Sequence, residues 1–260
     1  MLSAAQLLPT WYLIGAAVLF GLAVGSFLNV VICRLPQGKS VVSPASRCPR
    51  CETAIRWYDN VPLLGWLWLG GKCRNCKEPI SIEYPLVEAA NGALWGVLIW
   101  RFGLVPETPV YLALASALLA LTLIDLHHQI LPDRITLPGI VVGLAASAFL
   151  LPVGILPAVY GVVLGGGLFL VIAVVSRGGM GGGDIKLIAM IGAFLGWQAV
   201  LLTTVVAATT GSLVGLVLMA LYGKGRKYAV PFGPFLSAGA LVSLLWGTPL
   251  IDWYIGLSRP

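Results

Sequence analysis

The sequence predicts an all-α polytopic membrane protein, with about eight transmembrane helices and a zinc-ribbon-like loop on the cytoplasmic side. Of the 260 residues, 58% are hydrophobic and only 10% are charged, whereas soluble domains carry about 25% charged residues. Several uncharged runs approach or exceed the roughly 18 to 20 apolar residues with which a helix crosses the hydrocarbon layer. No segment shows the long alternation of apolar and polar residues typical of a membrane β-barrel. These observations exclude a water-soluble globule.

Eight apolar runs are interpreted as spans. They cover residues 11–33, 86–104, 109–127, 135–151, 157–176, 184–197, 199–222 and 231–248. The first run lacks a basic n-region, and Arg34 follows it without a small-residue cleavage site, so we expect a retained span rather than a signal peptide. Within this span, Asn29 and Ser26 are expected to form interhelical hydrogen bonds. Gly21 and Gly25 are expected to form a packing face of small residues.

The basic residues lie almost entirely on one side of these spans. With the N-terminus in the periplasm, the cytoplasmic segments contain Arg34, Lys39, Arg47, Arg50, Arg56, Lys72, Arg74, Lys77, Arg134, Arg177, Lys186, Lys224, Arg226 and Lys227. Only Arg101 and Arg259 fall on the other side. This distribution follows the positive-inside rule and predicts that both termini face the periplasm. It also accounts for the net charge of +6 without a nucleic-acid partner.

Residues 34–85 form the one long polar segment and the only candidate soluble module. We therefore divide the chain into a first transmembrane helix (1–33), this loop (34–85) and a transmembrane region (86–260). Several large apolar side chains lie in the loop and are expected to supply a small core or to lie along the membrane interface. They are Trp57, Leu63, Leu64, Trp66 and Trp68.

Four of the five cysteines lie in this loop, as Cys48-Pro-Arg-Cys51 and Cys73-Arg-Asn-Cys76. The two-residue spacing within each pair allows four thiolates to surround a zinc ion tetrahedrally, which is typical of a closed, structural site. Two disulfides are the alternative, and iron could replace zinc during overexpression. A cytoplasmic loop favours reduced thiols and a metal. Cys33 is left over and is interpreted as an inert buried thiol.

Asp125 and Asp184 lie at the edges of apolar runs, where an ionisable group is costly and indicates a functional site. Asp125 follows the run ALLALTLI, and Asp184 precedes IKLIAMIGAFLGW. Both lie at cytoplasmic helix ends in the predicted topology, so we expect them to meet. Two close carboxylates share a proton, which suits peptide hydrolysis: one activates water, and the other polarises the carbonyl or protonates the leaving amine. Since helix N-termini favour anions, we hypothesise that Asp184 is the base and Asp125 the acid.

Other polar features surround the two aspartates. The stretch RGGMGGGD at 177–184 lets an extended substrate approach closely, or is simply a flexible turn; it lacks the GxxxxGK[ST] pattern of a P-loop. Asp133, after a proline, is interpreted as an N-cap or first-turn acid. His127 and His128 occur without an HExxH pattern, so we do not expect a catalytic zinc. They are interpreted as tuning the aspartates or as lying at the membrane interface.

A set of motifs extends along nearly the whole chain. It comprises GSFLNVVICRLP (25–36), the CPRC and CRNC pairs, YPLVE (84–88), IDLHHQILPD (124–133), GMGGGDIK (179–186) and PFGPFL (231–236). Together these motifs resemble the bifunctional prepilin leader peptidase and N-methyltransferase family of type IV pilus and type II secretion systems.

The resemblance implies that Asp125 and Asp184 are the catalytic pair of an aspartyl peptidase domain at 86–260. Prepilins and pseudopilins would be the substrates, with a short basic leader cut after a glycine at the cytoplasmic face of the bacterial inner membrane. S-adenosylmethionine-dependent methylation of the new N-terminus would follow. Gly71 and Lys72 are associated with methyl transfer by similarity only, because the chain contains no GxGxxG motif of a dinucleotide-binding fold.

Two other functions remain open from the residues alone. Isolated acids in a membrane also mark ion pathways, as in a transporter or proton channel. That function predicts acids near the middle of the bilayer and broken helices in two repeats. A secretion-system assembly scaffold, whose zinc loop binds a partner, would need no pair of acids.

Overall fold

The computed structural model describes residues 9–176, 179–222 and 230–257. Within these residues the chain folds into eight α-helices with no β-strand. They are α1 (Thr10–Arg34), α2 (Leu64–Trp68), α3 (Glu83–Phe102), α4 (Thr108–His128), α5 (Asp133–Phe149), α6 (Ile155–Val175), α7 (Gly182–Tyr222) and α8 (Gly233–Leu257). Some basic residues of the predicted charge asymmetry lie outside the described residues, namely Arg177, Lys224, Arg226, Lys227 and Arg259.

Five stretches among the described residues are long and apolar enough to cross a membrane. They are Thr10–Gln37, Thr108–His128, Ile155–Val175, Gly182–Leu221 and Gly233–Gly256. The predicted all-α membrane fold is therefore confirmed. The count of eight spans is not confirmed. Helices α3 and α5, which occupy the second and fourth predicted spans, do not belong to this set, and the predicted sixth and seventh spans lie in the single stretch Gly182–Leu221. Helix α7 bends at Gly196, where φ is 79° and ψ is 176°, near the end of the predicted sixth span (184–197).

The chain divides into two compact units, unit 1 (Met1–Ala120) and unit 2 (Leu121–Pro260). The division into residues 1–33, 34–85 and 86–260 that the sequence suggests stays a prediction.

In unit 1, α1 and α3 approach closely through the small residues predicted from the sequence. A Cβ on Gly21 would lie 2.9 Å from the Cα of Gly92, and a Cβ on Gly25 would lie 2.7 Å from the Cα of Glu88. The side-chain amide of Asn29 donates a hydrogen bond to the Tyr84 carbonyl at 3.1 Å. Backbones this close gain van der Waals contact that larger residues would prevent, so these glycines hold the two helices together.

Two of the predictions for unit 1 need correction. Ser26 forms no hydrogen bond to another helix within residues 9–176 and instead lines a cavity. Cys33 is exposed, so its interpretation as a buried thiol is wrong. The buried face of α1 includes Leu28, Asn29 and Ile32, and Cys33 lies beside this face rather than on it.

The apolar side chains of the loop divide between two environments. Trp66 is half-buried, and its indole N–H donates to the Ile80 carbonyl at 3.1 Å. Trp57 and Trp68 are more than 80% exposed, and Leu64 is also exposed. Trp66 therefore belongs to the small core that the sequence predicts. The exposed side chains fit the predicted contact with the membrane interface, where amphipathic aromatic rings are favoured.

In unit 2, α6 and α7 pack through glycines. A Cβ on Gly161 would lie 2.6 Å from the carbonyl oxygen of Gly192, and one on Gly165 would lie 3.1 Å from that of Ile188. Helix α5 packs against α7, where the Ser147 hydroxyl donates to the Ala193 carbonyl at 2.7 Å. This packing fixes the first half of α7, which begins at the candidate site.

Candidate active site and metal centre

Asp125 lies in the last turn of α4 and is only 6% exposed. Its carbonyl accepts a hydrogen bond from the N–H of Gln129 at 2.9 Å. Gln129 has a φ of 52°, a left-handed conformation that ends helices. The chain then turns through Leu131 and Pro132 into α5. The end of α4 thus holds the Asp125 carboxylate next to the turn at 129–132.

Asp184 is the third residue of α7 and is half-buried. Its N–H donates to the Gly181 carbonyl at 3.1 Å, which shapes the start of the helix. A Cβ on Gly181 would lie 3.4 Å from Oδ2 of Asp184, whereas a Cβ on Gly182 would meet nothing within 4 Å. The glycines therefore leave open space beside this carboxylate. Arg177 and Gly178, at the start of the glycine-rich stretch, lie outside the described residues.

The structure brings the two aspartates together. Their carboxylates are close enough to interact electrostatically, although 59 residues separate them in sequence. Leu131 lies between the elements that carry them. A Cβ on Gly183 would lie 2.8 Å from the Leu131 Cβ, and a Cβ on Gly233 would lie 3.2 Å from its Cδ2. The ends of α4, α7 and α8 therefore converge around Leu131.

Gly233, the first residue of α8, completes this arrangement. Its N–H donates a hydrogen bond to Oδ2 of Asp125 at 2.9 Å. Asp125 therefore faces a helix N-terminus, just as Asp184 lies at one. The hypothesis that Asp184 is the base and Asp125 the acid considered only the C-terminal end of α4 beside Asp125. Because both carboxylates lie at helix N-termini, the helix dipoles do not distinguish them. Gly233 and Leu131 were not predicted as site residues, although the PFGPFL and IDLHHQILPD motifs contain them.

Gly233 supplies a test of this geometry. A Cβ there would lie 2.7 Å from Oδ2 of Asp125 and 3.1 Å from its Cγ. In Gly233→Ala we expect the carboxylate to move while the helices stay folded, because the end of a side chain shifts more easily than backbone. A displacement near 1 Å can cost about a hundredfold in rate, so any reaction that uses Asp125 should slow by about ten- to a hundredfold.

The matched control is Gly247→Ala in the same helix, where a Cβ meets nothing within 4 Å. Its thermal midpoint and its activity should both match the wild type. Equal activity in the two alanine variants would show that Gly233 does not position Asp125.

Asp133 and Lys186 form an ion pair next to the aspartates, with Nζ 2.6 Å from Oδ1. Asp133 is the first residue of α5, after Pro132 at the N-cap, which confirms its interpretation as a first-turn acid. The pair links the start of α5 to α7, two residues beyond Asp184. His127 and His128 are exposed, with ring centroids 6.2 Å apart.

The four loop cysteines form a cluster in unit 1. Their sulfur atoms all lie within 4.8 Å of one another, with Cys48 and Cys76 at 3.8 Å and Cys51 and Cys73 at 3.9 Å. Tetrahedral zinc with Zn–S bonds of about 2.3 Å separates its sulfurs by about 3.8 Å. A disulfide would need about 2.05 Å, and all four cysteines are free. The cluster therefore fits a tetrahedral metal ion better than the alternative of two disulfides.

The two cysteine pairs have the same backbone geometry, 25 residues apart. The Cys48 N–H donates to the Thr53 carbonyl and the Cys73 N–H to the Glu78 carbonyl. Glu52 and Lys77, each following the second cysteine of a pair, have φ values of 55° and 61°. Hydrogen bonds with Thr53 lower the pKa of Cys51 to about 6, and a metal binds the thiolate form.

Gly71 lies against the core of this loop, where a Cβ would come 2.9 Å from the Trp66 ring. Gly70 also has a positive φ, but a Cβ on it would meet nothing within 4 Å. We expect Gly71→Ala to destabilise the loop by about 2–3 kcal/mol, since strain adds to overpacking. Gly70→Ala should cost only about 1 kcal/mol.

The destabilisation in each variant is measured as the decrease in the denaturant concentration at which the loop unfolds and releases its bound metal. A shift of the same size in the two variants would show that Trp66 does not constrain position 71.

The regions that carry the two sites match models of known protein families. The model of the bacterial peptidase A24 N-terminal domain matches residues 19–102, and that of the type IV leader peptidase family matches residues 112–216. The chain is 38% identical to a prepilin leader peptidase/N-methyltransferase of Stutzerimonas stutzeri over 94% of both chains. It belongs to the type IV leader peptidase family. A protein of the same name from Pseudomonas aeruginosa is 38% identical over 92% of both chains. One from Legionella pneumophila is 36% identical over 95% of this chain and 96% of its own.

No solved structure matches this member of the type IV leader peptidase family significantly. The cysteine cluster lies in the region matched by the N-terminal model, and both aspartates lie in the region matched by the leader peptidase model. Gly233 lies beyond both regions, so its hydrogen bond to Asp125 is information that only the structure supplies.

Proposed function

We propose that this chain removes the leader peptides of type IV prepilins and pseudopilins, with Asp125 and Asp184 as the catalytic residues, and then methylates the new N-terminus. The observation that carries this proposal is the meeting of two carboxylates at helix ends in unit 2. The names of relatives that match more than nine-tenths of the chain support the substrate class and both reactions.

The two carboxylates divide the work of peptide hydrolysis. The ionised carboxylate takes a proton from a water molecule, whose oxygen attacks the carbonyl carbon of the scissile peptide. The protonated carboxylate polarises that carbonyl and then gives its proton to the amine nitrogen as the C–N bond breaks. The N–H of Gly233 orients Asp125 during these steps through its hydrogen bond to Oδ2.

The position of the aspartates suits a substrate that is itself a membrane helix. A prepilin has a basic leader in front of an apolar helix, so its helix can enter the membrane while the leader remains in the cytoplasm. The scissile bond then lies at the membrane boundary. We place the protein in the bacterial inner membrane with this site on the cytoplasmic side, because the basic residues of the chain concentrate on that side in the predicted topology.

In unit 1 the four clustered cysteines would hold a structural zinc ion, which fixes the loop and has no redox chemistry of its own. S-adenosylmethionine would supply a methyl group to the new N-terminal amine. Gly71 and Lys72 are the stretch that we associate with this second reaction. Gly71 packs against Trp66, so a larger residue there would disturb the loop rather than the peptidase site.

The direct test uses the full chain, purified in detergent with its metal. A purified prepilin should lose its leader, and mass spectrometry of the product should show one added methyl group only when S-adenosylmethionine is present. An uncut prepilin would contradict the peptidase proposal. A cut product that stays unmethylated would contradict the second activity alone.

A further inference from the structure

Ser237, in the second turn of α8, carries a buried hydroxyl that forms no hydrogen bond. The residue is 2% exposed. Within the described residues, its Oγ is the one buried side-chain oxygen or nitrogen without a hydrogen-bond partner. Such a group destabilises a fold, because it has given up its hydrogen bonds to water and gained none in return. Alanine would suit a buried helix position better, so the hydroxyl indicates a role other than packing.

Other buried hydroxyls of unit 2 do form hydrogen bonds. The Ser147 hydroxyl donates to a carbonyl of α7 at 2.7 Å, and Thr203 and Ser243 bond to each other at 3.0 Å. Thr136 donates to the carbonyl four residues before it at 3.4 Å, as hydroxyls in helices commonly do. Ser237 makes no such bond to its own helix, so its hydroxyl is available to another group.

The nearest catalytic group lies one helical turn away, at Gly233. The N–H of Gly233 donates to Oδ2 of Asp125 at 2.9 Å, and both Gly233 and Ser237 belong to the buried face of α8. Residues four apart lie on the same face of a helix, and each side chain leans toward the helix N-terminus. The Ser237 hydroxyl is therefore directed toward the end of α8 that holds Asp125.

The glycine at position 233 keeps this path clear. A Cβ there would lie 2.7 Å from Oδ2 of Asp125, so a side chain would occupy the space between the carboxylate and the next turn of α8. Ser237 forms no hydrogen bond to Asp125 in the free chain. Catalytic hydrogen bonds are often long or poorly aligned before substrate binds, and they shorten in the complex. A hydroxyl adapts to such a change by rotation, whereas a backbone N–H is fixed.

We propose that Ser237 is a positioning residue of the peptidase site, whose hydroxyl donates a hydrogen bond to the Asp125 carboxylate as the site reaches its reacting arrangement. Together with the N–H of Gly233, it then holds the carboxylate in one orientation toward the water and the scissile peptide. The inference rests on the peptidase part of the proposed function. It adds a residue that lies beyond the regions matched by both family models.

The first test is Ser237→Ala in the full chain, purified in detergent with its metal. We expect its thermal midpoint to rise by at least about 2 °C, because the variant no longer buries an unpaired hydroxyl. Its kcat for prepilin cleavage should fall at least about tenfold, as for the loss of a hydrogen bond to a charged group. KM should stay within about twofold, since the bond serves the reaction rather than binding.

Ser243→Ala is the matched control in the same helix. Its hydroxyl bonds to Thr203 and lies 3.4 Å from the Ala199 carbonyl, so its loss removes contacts of the folded state. The thermal midpoint should fall, and kcat and KM should both remain within about twofold of the wild type. The two alanine variants should thus differ in opposite directions in stability and in rate.

A second pair of variants isolates the hydroxyl from the size of the side chain. Threonine and valine have nearly the same shape and differ in the hydroxyl. Ser237→Thr should therefore cut a prepilin at least about tenfold faster than Ser237→Val, even if the added methyl group slows both variants. Equal rates in the two variants would show that the hydroxyl does not act on Asp125.

The remaining outcomes separate this inference from the proposed function. Wild-type kcat in Ser237→Ala would overturn the inference and leave the peptidase proposal intact. A lower midpoint together with a lower kcat would show that the hydroxyl supports the fold, which also overturns it. If the wild-type chain leaves the prepilin uncut, the peptidase proposal fails and the inference fails with it.

Discussion

Asp125→Asn and Asp184→Asn should each abolish leader cleavage, with kcat/KM falling by at least about a thousandfold. Asparagine keeps the size of the side chain but can neither accept a proton from water nor donate one from a carboxyl group. Because the two carboxylates act as one unit, the double variant should be no slower than either single variant. The measurement is the rate at which a purified prepilin is cut in detergent.

Asp252→Asn is the matched control, since Asp252 is an exposed acid of α8 and should leave the rate unchanged. Both active-site variants should still methylate a substrate that was cut beforehand, because Gly71 and Lys72, the stretch that we associate with methyl transfer, lie within unit 1. Substantial cleavage by either variant would reject the two-aspartate mechanism. The chain would then be better explained as an ion pathway or as an assembly scaffold.

The helices were predictable because apolar run length is a strong local signal. The predicted span at 135–151 corresponds to α5, and the predicted interruption between 197 and 199 lies beside the bend at Gly196. The number of helices that cross the membrane was harder to predict from the sequence. It depends on helix length and on charged residues within each helix: α5 has 17 residues, and α3 contains Glu83, Glu88 and Arg101.

The candidate active site was predictable only in part. Asp125 and Asp184 stand out because an acid at the edge of an apolar run is rare. Gly233 has no such signal, since its contribution is a backbone N–H that reaches Asp125 from 108 residues away. For the same reason the sequence could not show that both acids lie at helix N-termini, and the assignment of Asp184 as base and Asp125 as acid stays a prediction. Local sequence shows which helix carries a residue, but not which other helix begins beside it.

The cysteine loop shows the same contrast between local and distant information. Pair spacing predicted the cluster of four sulfurs, because two residues between cysteines fix the geometry of each knuckle. The cavity beside the cluster could not be predicted, since it forms only when the loop folds against α1 and α3. Glu88, which lines this cavity, belongs to the motif YPLVE, but nothing in the sequence indicates that it is buried.

Removal of the metal should separate the two activities of the chain. Each of the single variants Cys48→Ser and Cys73→Ser should reduce the metal content from about one ion per chain to a small fraction of that, because a serine hydroxyl is a poor ligand beside three thiolates. Methyl transfer should fall at least about a hundredfold, since metal binding supplies much of the folding free energy of so short a loop. Prepilin cleavage should change by no more than about twofold, as the aspartates belong to unit 2.

Cys33→Ser is the control for the loss of a thiol, because Cys33 lies outside the cluster, and it should keep the wild-type metal content. Limited proteolysis within residues 34–85 should accelerate in the two cluster variants and in chelator-treated wild type, but not in Cys33→Ser. Full metal content in either cluster variant would contradict the four-sulfur site. If cleavage were lost together with the metal, the cluster would also support the peptidase, and the assignment of the two activities to separate units would be wrong.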